Sequence, residues 1–282
     1  MKTLGEILQL TVQCFKDKNI ERPRRIAEEL LSHVFSIPRL ELYMQFDKPL
    51  IEQELEVLRA LVKRKLKGEP LEYLIGNVPF YGCSITVTKH VLIPRQETEI
   101  LLDIACKRLK QLPLEGKKAW DICTGSGCLG IGLKKTLPQL DVALCDVSER
   151  ALAVARRNAE HNGVSVECLQ GDLLGPCVGR RADIILCNPP YVSNKEYHDL
   201  DVSVRGYEPQ DALIGGEDGL LFYSRLSVEL PRYLNPGALL FLEIGSKQGK
   251  AVRDLFLAPC WRNICIEKDF AGHDRFFFLE FE

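Results

Sequence analysis

The amino-acid sequence predicts an α/β protein in which a mostly parallel sheet follows a small N-terminal helical bundle. Three observations carry that expectation. Up to about Lys67, apolar residues recur at helical spacing. From Glu97 onward, short apolar runs alternate with helical stretches, the pattern of parallel strands joined by crossover helices. Several of those runs end in glycines, aspartates or, most informatively, Asn188-Pro189-Pro190-Tyr191, at the strand ends where such sheets bind ligands.

Thr3-Leu4-Gly5-Glu6 has the capping-box spacing that opens a helix. Ile26, Ala27, Leu30, Leu31 and Val34 form one helical stripe, and Ile51, Leu55, Leu58, Val62 and Leu66 form another. Gly68-Glu69-Pro70 breaks the pattern, and Ser84-Ile85-Thr86-Val87-Thr88 alternates as one arm of a hairpin. The expected divisions are a helical domain over residues 1–76, a β-hairpin linker over 77–96 and the α/β domain over 97–282. Within the last, residues 118–123, 140–145, 165–169, 182–187 and 275–281 read as strands, and a helix opens at Cys128 after Thr124-Gly125-Ser126-Gly127.

A chain of 282 residues suffices for two domains with a sizeable core. No apolar run reaches the length of a membrane span, and the first residues do not open a signal peptide, so a cytoplasmic protein with no membrane partner is expected. The eleven cysteines are scattered, with no C-x-x-C pair. They are expected to be small buried hydrophobes in a reducing compartment, not zinc ligands or a disulfide framework. His33, His90, His161 and His198 show no metal spacing, and no metal is expected. Residues 1–80 carry 13 Lys plus Arg against 12 Asp plus Glu, and the remainder 24 against 27, for a net charge of −2. That balance lacks the basic footprint that phosphate contacts demand, so no direct nucleic-acid partner is expected. Lys63-Arg64-Lys65-Leu66-Lys67 is the one basic cluster, and it reads as a solvated helix end.

The strand-end residues have a joint chemical meaning. Two prolines stiffen Asn188-Pro189-Pro190-Tyr191 and remove two N–H donors. What remains is a row of acceptors, the Asn188 side-chain oxygen and the Pro189 carbonyl, beside a flat ring. Such a row holds a planar –NH2 group by both hydrogens. An amide or aromatic amine has a delocalised lone pair and is a poor nucleophile. Accepting both N–H bonds aims that lone pair at an electrophile and stabilises the positive charge that grows during attack. Upstream, the glycines of Thr124-Gly125-Ser126-Gly127 expose N–H groups at a strand-to-helix turn. Asp146 stands where a carboxylate accepts both ribose hydroxyls, and Asp172 where one accepts from an adenine amino group. The set suits S-adenosylmethionine. A nicotinamide dinucleotide fits less well, because the glycine spacing differs from G-x-G-x-x-G and nothing in that reading uses the amine clamp.

Asp121 to Gly127, Asp146, Asp172 and Asn188-Pro189-Pro190-Tyr191 resemble class I methyltransferases with an Asn-Pro-Pro-Tyr site. The chain is similar, more narrowly, to the protein-(glutamine-N5) methyltransferases that modify peptide chain release factors. Pro70-Leu71-Glu72-Tyr73-Leu74-Ile75-Gly76, Phe80-Tyr81-Gly82 and Val91-Leu92-Ile93-Pro94-Arg95-Gln96-Glu97-Thr98-Glu99 carry that likeness. So do Tyr207-Glu208-Pro209, Gly215-Gly216-Glu217-Asp218-Gly219-Leu220, Leu242-Glu243-Ile244-Gly245 and Ala271-Gly272-His273-Asp274-Arg275. The resemblance covers nearly the whole chain. It implies a Rossmann-like sheet whose last strand is antiparallel, with a catalytic role for 97–282, while residues 1–76 are expected to read the substrate or to serve as a lid that stabilises the catalytic part. It implies that Cys123, Thr124, Gly125, Ser126 and Gly127 wrap the methionine moiety of S-adenosylmethionine, that Asp146 holds the ribose, and that Asp172 and Leu173 flank the adenine. Asn188 is implied to contact the cofactor as well, and Asn188 and Pro189 to accept the substrate amide hydrogens, with Pro190 and Tyr191 shaping a slot for the glutamine of a release factor's Gly-Gly-Gln loop.

Two positions depart from the resemblance. The family commonly has Pro where Gln96 stands and Gly where Cys123 stands, and Cys123 is expected to narrow the methionine end of the pocket. No catalytic role is assigned to Glu208, Glu243 or His273. Other readings are a glutamine methyltransferase for a ribosomal protein, an N6-adenine methyltransferase, and a non-catalytic S-adenosylmethionine-binding module. A monomer acting on release factors is the expectation.

Overall fold

The computed structural model describes residues 2–282. Its first elements are helices α1 (Leu4–Asp17), α2 (Pro23–Phe35), α3 (Glu52–Leu66) and α4 (Leu71–Ile75), followed by strands β1 (Asn77–Phe80) and β2 (Cys83–Thr86). Then come α5 (Gln96–Leu109), β3 (Lys118–Ile122), α6 (Cys128–Thr136), β4 (Asp141–Asp146), α7 (Glu149–His161), β5 (Glu167–Gln170) and β6 (Ala182–Cys187). The chain closes with α8 (Asn194–Asp199), α9 (Val202–Arg205), α10 (Leu221–Glu229), β7 (Leu234–Glu243), α11 (Gly249–Leu255), β8 (Trp261–Lys268) and β9 (Asp274–Phe281). These elements form two compact units, Met1–Gly76 with Val202–Tyr207, and Asn77–Asp201 with Glu208–Glu282.

In the helical unit the capping box is formed. The Thr3 hydroxyl accepts from the Glu6 N–H at 3.3 Å, and the Glu6 carboxylate accepts from the Thr3 N–H at 2.9 Å. The core gathers Leu4, Leu8 and Phe15 of α1, Ala27, Leu30 and Leu31 of α2, and Leu55, Leu58 and Leu61 of α3. The second stripe differs from expectation at its start. Ile51 precedes the first turn of α3 and is exposed, so helical spacing does not bring it inward, and Leu61 takes an interior place instead. Sequence spacing also counts residues 202–207 with the α/β region. In the structure this segment, including α9, clusters with the helices, and the Tyr207 hydroxyl donates to the Lys67 carbonyl at 2.8 Å.

In the second unit, β1 and β2 make a hairpin whose two turn residues, Tyr81 and Gly82, have φ of 44° and 72°. Positive φ at both positions matches the twist of a tight hairpin. Asn158 of α7 and Asn162, which caps it, tie β2 down. Asn158 exchanges hydrogen bonds with Thr86 (2.8 and 3.0 Å) and Asn162 with Ser84 (3.0 and 2.9 Å). The hairpin is therefore a fixed part of this unit.

The seven-stranded sheet has the order β5-β4-β3-β6-β7-β9-β8. Pairs from β5 through β7 are parallel, and β9 runs antiparallel to both β7 and β8. Burial on both faces explains the continuous apolar runs at Ala182–Cys187 and in β9, where Phe276, Phe277 and Phe278 are all buried. β7 and β8 are strands beyond those expected from the sequence, and Leu242 and Glu243 close β7. Among the described residues no helix is long and apolar enough to cross a membrane.

Candidate active site

The parallel strands end side by side, and each tip is fixed by its own hydrogen bonds. At the end of β3, Cys123 adopts a left-handed φ of 58°, a conformation that favours glycine. The following Thr124 N–H donates to the Cys145 carbonyl at 3.0 Å. Asp121, within β3, is 1 % exposed, and its Oδ2 accepts from the Thr124 hydroxyl at 2.5 Å and the Gly130 N–H at 2.9 Å. Burial pushes the Asp121 carboxyl up to about 7. The Thr124 and Gly130 donors oppose that shift, and the Asp146 charge adds to it.

Asp146 ends β4. Its Oδ2 accepts from the Gly125 N–H at 2.8 Å and its Oδ1 from the Ser148 N–H at 2.9 Å. Burial raises its pKa above the ordinary carboxylate value, against the pull of those backbone donors. Asp172 follows β5, and its Oδ1 is paired with Arg225 at 2.9 Å on the exposed rim. Leu173 beside it is buried, with φ of 46°.

Asn188-Pro189-Pro190-Tyr191 follows β6, with both prolines buried. The Asn188 Nδ2 donates to the Thr98 Oγ1 of α5 at 3.0 Å, and the Thr98 hydroxyl donates to the Glu243 Oε2 at 2.6 Å. The Tyr191 hydroxyl donates to the other oxygen of Glu243 at 3.2 Å. Burial raises the Glu243 pKa, while Thr98, Arg275 and Tyr191 act to lower it. Burial and then the Glu243 charge hold the Tyr191 hydroxyl protonated well above its ordinary range. Gln248 completes the seat, its Nε2 donating to the Tyr191 carbonyl at 2.9 Å and the Gly219 carbonyl at 3.2 Å. Gly215 and Gly219 pack on the tetrapeptide backbone so closely that a Cβ would lie 2.5 Å from the Pro190 oxygen and 2.3 Å from the Tyr191 oxygen respectively.

One cleft takes in Cys123, Gly125, Asp146, Asp172, Leu173, Asn188 and Pro190, and a smaller adjoining cavity takes in Thr124, Ser126 and again Cys123, Gly125 and Asn188. Gly127, Pro189 and Tyr191 adjoin these residues in the chain without lining either cavity. Leu92, Leu173 and Phe222 give the cleft apolar wall. A larger cavity of about 780 Å³ lies among the helices of the other unit and contains none of these strand-end residues. Among the described residues no group of three or more His, Cys, Asp or Glu is arranged to hold a metal ion.

Residues 6–76 match the family model described as PrmC N-terminal domain, and residues 98–204 match the Methyltransferase small domain. The chain is 38% identical over 273 residues to the release factor glutamine methyltransferase of Geobacter sulfurreducens, covering 97% of this chain and 95% of that one. It is 39% identical over 277 residues to the release factor glutamine methyltransferase of Chlamydia trachomatis serovar L2, covering 98% and 94%. The chain belongs to the release factor glutamine methyltransferase family. Its fold is also like that of a methyltransferase from Pyrococcus furiosus, with a TM-score of 0.52 at 22% identity over 71% of this chain and 89% of that one.

Both departures from the common pattern of release factor glutamine methyltransferases have a local setting. Gln96 is the first residue of α5, where the N–H is free of intrahelical bonding, so a proline and a glutamine are both accommodated. Cys123 keeps the left-handed backbone that a glycine adopts without strain, and its side chain borders both cavities. Sequence reasoning passed over Thr98, Gln248 and the role of Glu243. No local pattern in the sequence shows that α5 and β7 bring Thr98 and Glu243 to Asn188. Glu208 proves to be a brace, accepting from the Ile93 N–H at 3.1 Å and from Arg95, which shapes the loop carrying Leu92. His273 lies on an exposed turn.

Two consequences are measurable. The folded state binds a proton on Asp121 up to about pH 7, against an ordinary value of 3.8, so its contribution to stability is present at acid pH and lost as pH rises through 7. The stability of wild type relative to Asp121→Asn should therefore fall by about 2 kcal/mol between about pH 5.5 and about pH 8.5 in urea titrations. A pH-independent difference would contradict the assignment. Gly219→Ala places a Cβ against the Tyr191 carbonyl at positive φ, and should lower stability by about 2 kcal/mol. An unchanged urea midpoint would show that the close approach is not needed.

Proposed function

We propose that this chain transfers a methyl group from S-adenosylmethionine to the side-chain amide nitrogen of the glutamine in the Gly-Gly-Gln loop of peptide chain release factors. The observation that carries the reading is that Asn188, at the end of β6, and Asp146, at the end of β4, border one cleft. Membership of the release factor glutamine methyltransferase family supports the acceptor.

The residues present fit the cofactor. A half-buried carboxylate at Asp146 suits a pair of ribose hydroxyls, and the Leu92, Leu173 and Phe222 walls suit a purine. Asp172 has one oxygen on Arg225, so it would serve adenine from the cleft's rim. Cys123, Thr124, Gly125 and Ser126 would hold the methionine end, with Gly127 shaping the turn behind them. When bound, the cofactor supplies a methyl already activated by a sulfonium, so the protein need only orient the acceptor.

That orientation falls to the tetrapeptide. The Asn188 Oδ1 and the Pro189 carbonyl accept the two amide hydrogens, which turns the nitrogen lone pair toward the methyl donor. The same oxygens stabilise charge that grows on nitrogen in the transition state. Pro190 is part of the cleft wall, and Tyr191 keeps the turn anchored through Glu243. Residues 1–76 serve as the substrate reader, 77–96 as the hairpin linker and 97–282 as the catalytic part. The enzyme acts as a cytoplasmic monomer without a nucleic-acid or membrane partner.

The test is incubation with radiolabelled S-adenosylmethionine and purified release factor, beside a factor whose Gly-Gly-Gln glutamine is replaced. Label on the first alone is expected. Equal labelling of both would move the site, and no label on either would move the acceptor to a ribosomal protein or nucleic acid. Asn188→Ala should abolish turnover while leaving cofactor affinity within about two-fold. By contrast, Asp146→Ala should weaken cofactor binding by at least about 30-fold, since it removes the hydrogen bonds from a pair of ribose hydroxyls to one charged group. Calorimetry on both variants separates the roles, and a reversed pattern would refute them.

A further inference from the structure

We infer that Thr98 and Glu243 are positioning residues that dictate which end of the Asn188 side chain faces the substrate. The inference rests on the methyl-transfer reading and deepens it.

An asparagine amide is nearly symmetric in shape but opposite in polarity at its two ends. Facing the acceptor with Oδ1, Asn188 would receive a substrate N–H. Facing it with Nδ2, it would oppose one donor with another. Nothing within Asn188-Pro189-Pro190-Tyr191 distinguishes these orientations, since neither proline offers an N–H. The distinction comes from Thr98, which borders the smaller cavity beside Asn188, and from Glu243 beyond it. Glu243 is 1 % exposed, and each of its oxygens accepts from a different hydroxyl, Thr98 on Oε2 and Tyr191 on Oε1. Those donors and Arg275 favour the ionised carboxylate against its burial, and in that form Glu243 accepts only. Thr98, 3 % exposed, must spend its single hydroxyl proton on Glu243. Its oxygen then has only lone pairs left to offer Asn188. Only the NH2 end of Asn188 can meet them, at 3.0 Å, and the Oδ1 end is turned the other way. A buried charge thus sets the polarity of a hydrogen-bonded chain, Glu243 to Thr98 to Asn188, whose far end is the acceptor row.

Thr98→Val removes the hydroxyl at nearly constant shape, Thr98→Ser keeps it, and Glu243→Gln replaces an acceptor-only group with one that can also donate. Methylation of release factor should show kcat lowered roughly 10- to 100-fold in Thr98→Val and Glu243→Gln, the usual range for losing the group that orients a ligating side chain. KM for the factor should stay within about two-fold, and Thr98→Ser should restore kcat to within a few-fold of wild type. Wild-type kcat in Thr98→Val, or a Thr98→Ser as impaired as Thr98→Val, would each overturn the relay. Failure of the wild-type chain to label release factor would instead overturn the acceptor. The relay is read independently in protein carrying ¹⁵N-asparagine, where one Asn188 side-chain N–H should exchange slowly with solvent in wild type and faster in Thr98→Val. Equal exchange in the two would overturn it whatever the acceptor.

Discussion

The buried Glu243 carboxylate is the point on which the site's construction depends. It closes β7, and its two oxygens reach α5 through Thr98 and the turn after β6 through Tyr191. Its own backbone carbonyl accepts from the Tyr223 hydroxyl of α10 at 2.8 Å. Four separate pieces of chain are thereby referred to one residue. Burying a charge is costly unless its lone pairs are satisfied, so the arrangement tolerates little slack: each hydroxyl that strays leaves a desolvated oxygen unmatched. A turn that has to present acceptors to a fraction of an ångström gains from being tied to a group with so strong a demand.

The prolines and glycines around that turn act on different sides of the same problem. Pro189 and Pro190 reduce the conformations open to the chain before it folds, and Gly215 and Gly219 let a neighbouring segment lie against the backbone where a side chain would collide. Backbone pairing adds to this, since the Val192 N–H donates to Leu213 at 2.9 Å and the Gly215 N–H returns to Val192 at 2.8 Å. Rigidity at the tetrapeptide is therefore both local, from its composition, and long-range, from segments some twenty to sixty residues downstream in sequence.

That division explains what was legible in the sequence. Strands buried on both faces announce themselves as apolar runs, so Ala182–Cys187 was delimited correctly, and the tips at Asp146 and Asn188 could be placed because each directly follows or closes such a run. β8 escaped because its pattern is mixed: Arg262, Asn263, Cys265 and Lys268 are exposed while Trp261 is buried, and a bulge interrupts the pairing. The helical stripes were legible except at Ile51, where spacing alone cannot tell a cap from a first turn. Thr98 and Glu243 lie 145 residues apart, and no periodicity or motif carries the information that their side chains meet. The same holds for Asn158 and Asn162, which look like ordinary polar positions of a helix until β2 is laid against them.

Strand order gives the site its remaining logic. β3 sits between β4 and β6, so the chain leaves β3 in one direction to make β4 and β5, and crosses back to make β6 and β7. At that reversal, connections diverge and a crevice opens outside the strand ends. Asp121, Cys123, Asp146 and Asp172 all belong to the β3-β4-β5 side, whereas Asn188, Tyr191 and Glu243 belong to the β6-β7 side. Groups suited to a nucleoside and groups suited to an amide are thus carried by opposite halves of one sheet, and the register of β3 against β6, with Ile122 opposite Cys187, sets how far apart they end. Parallel pairing buried on both faces is hard to slip, because a shift of one residue would turn every side chain over. The distance between the two halves of the chemistry is then a property of the sheet, and the loops have only to decorate it.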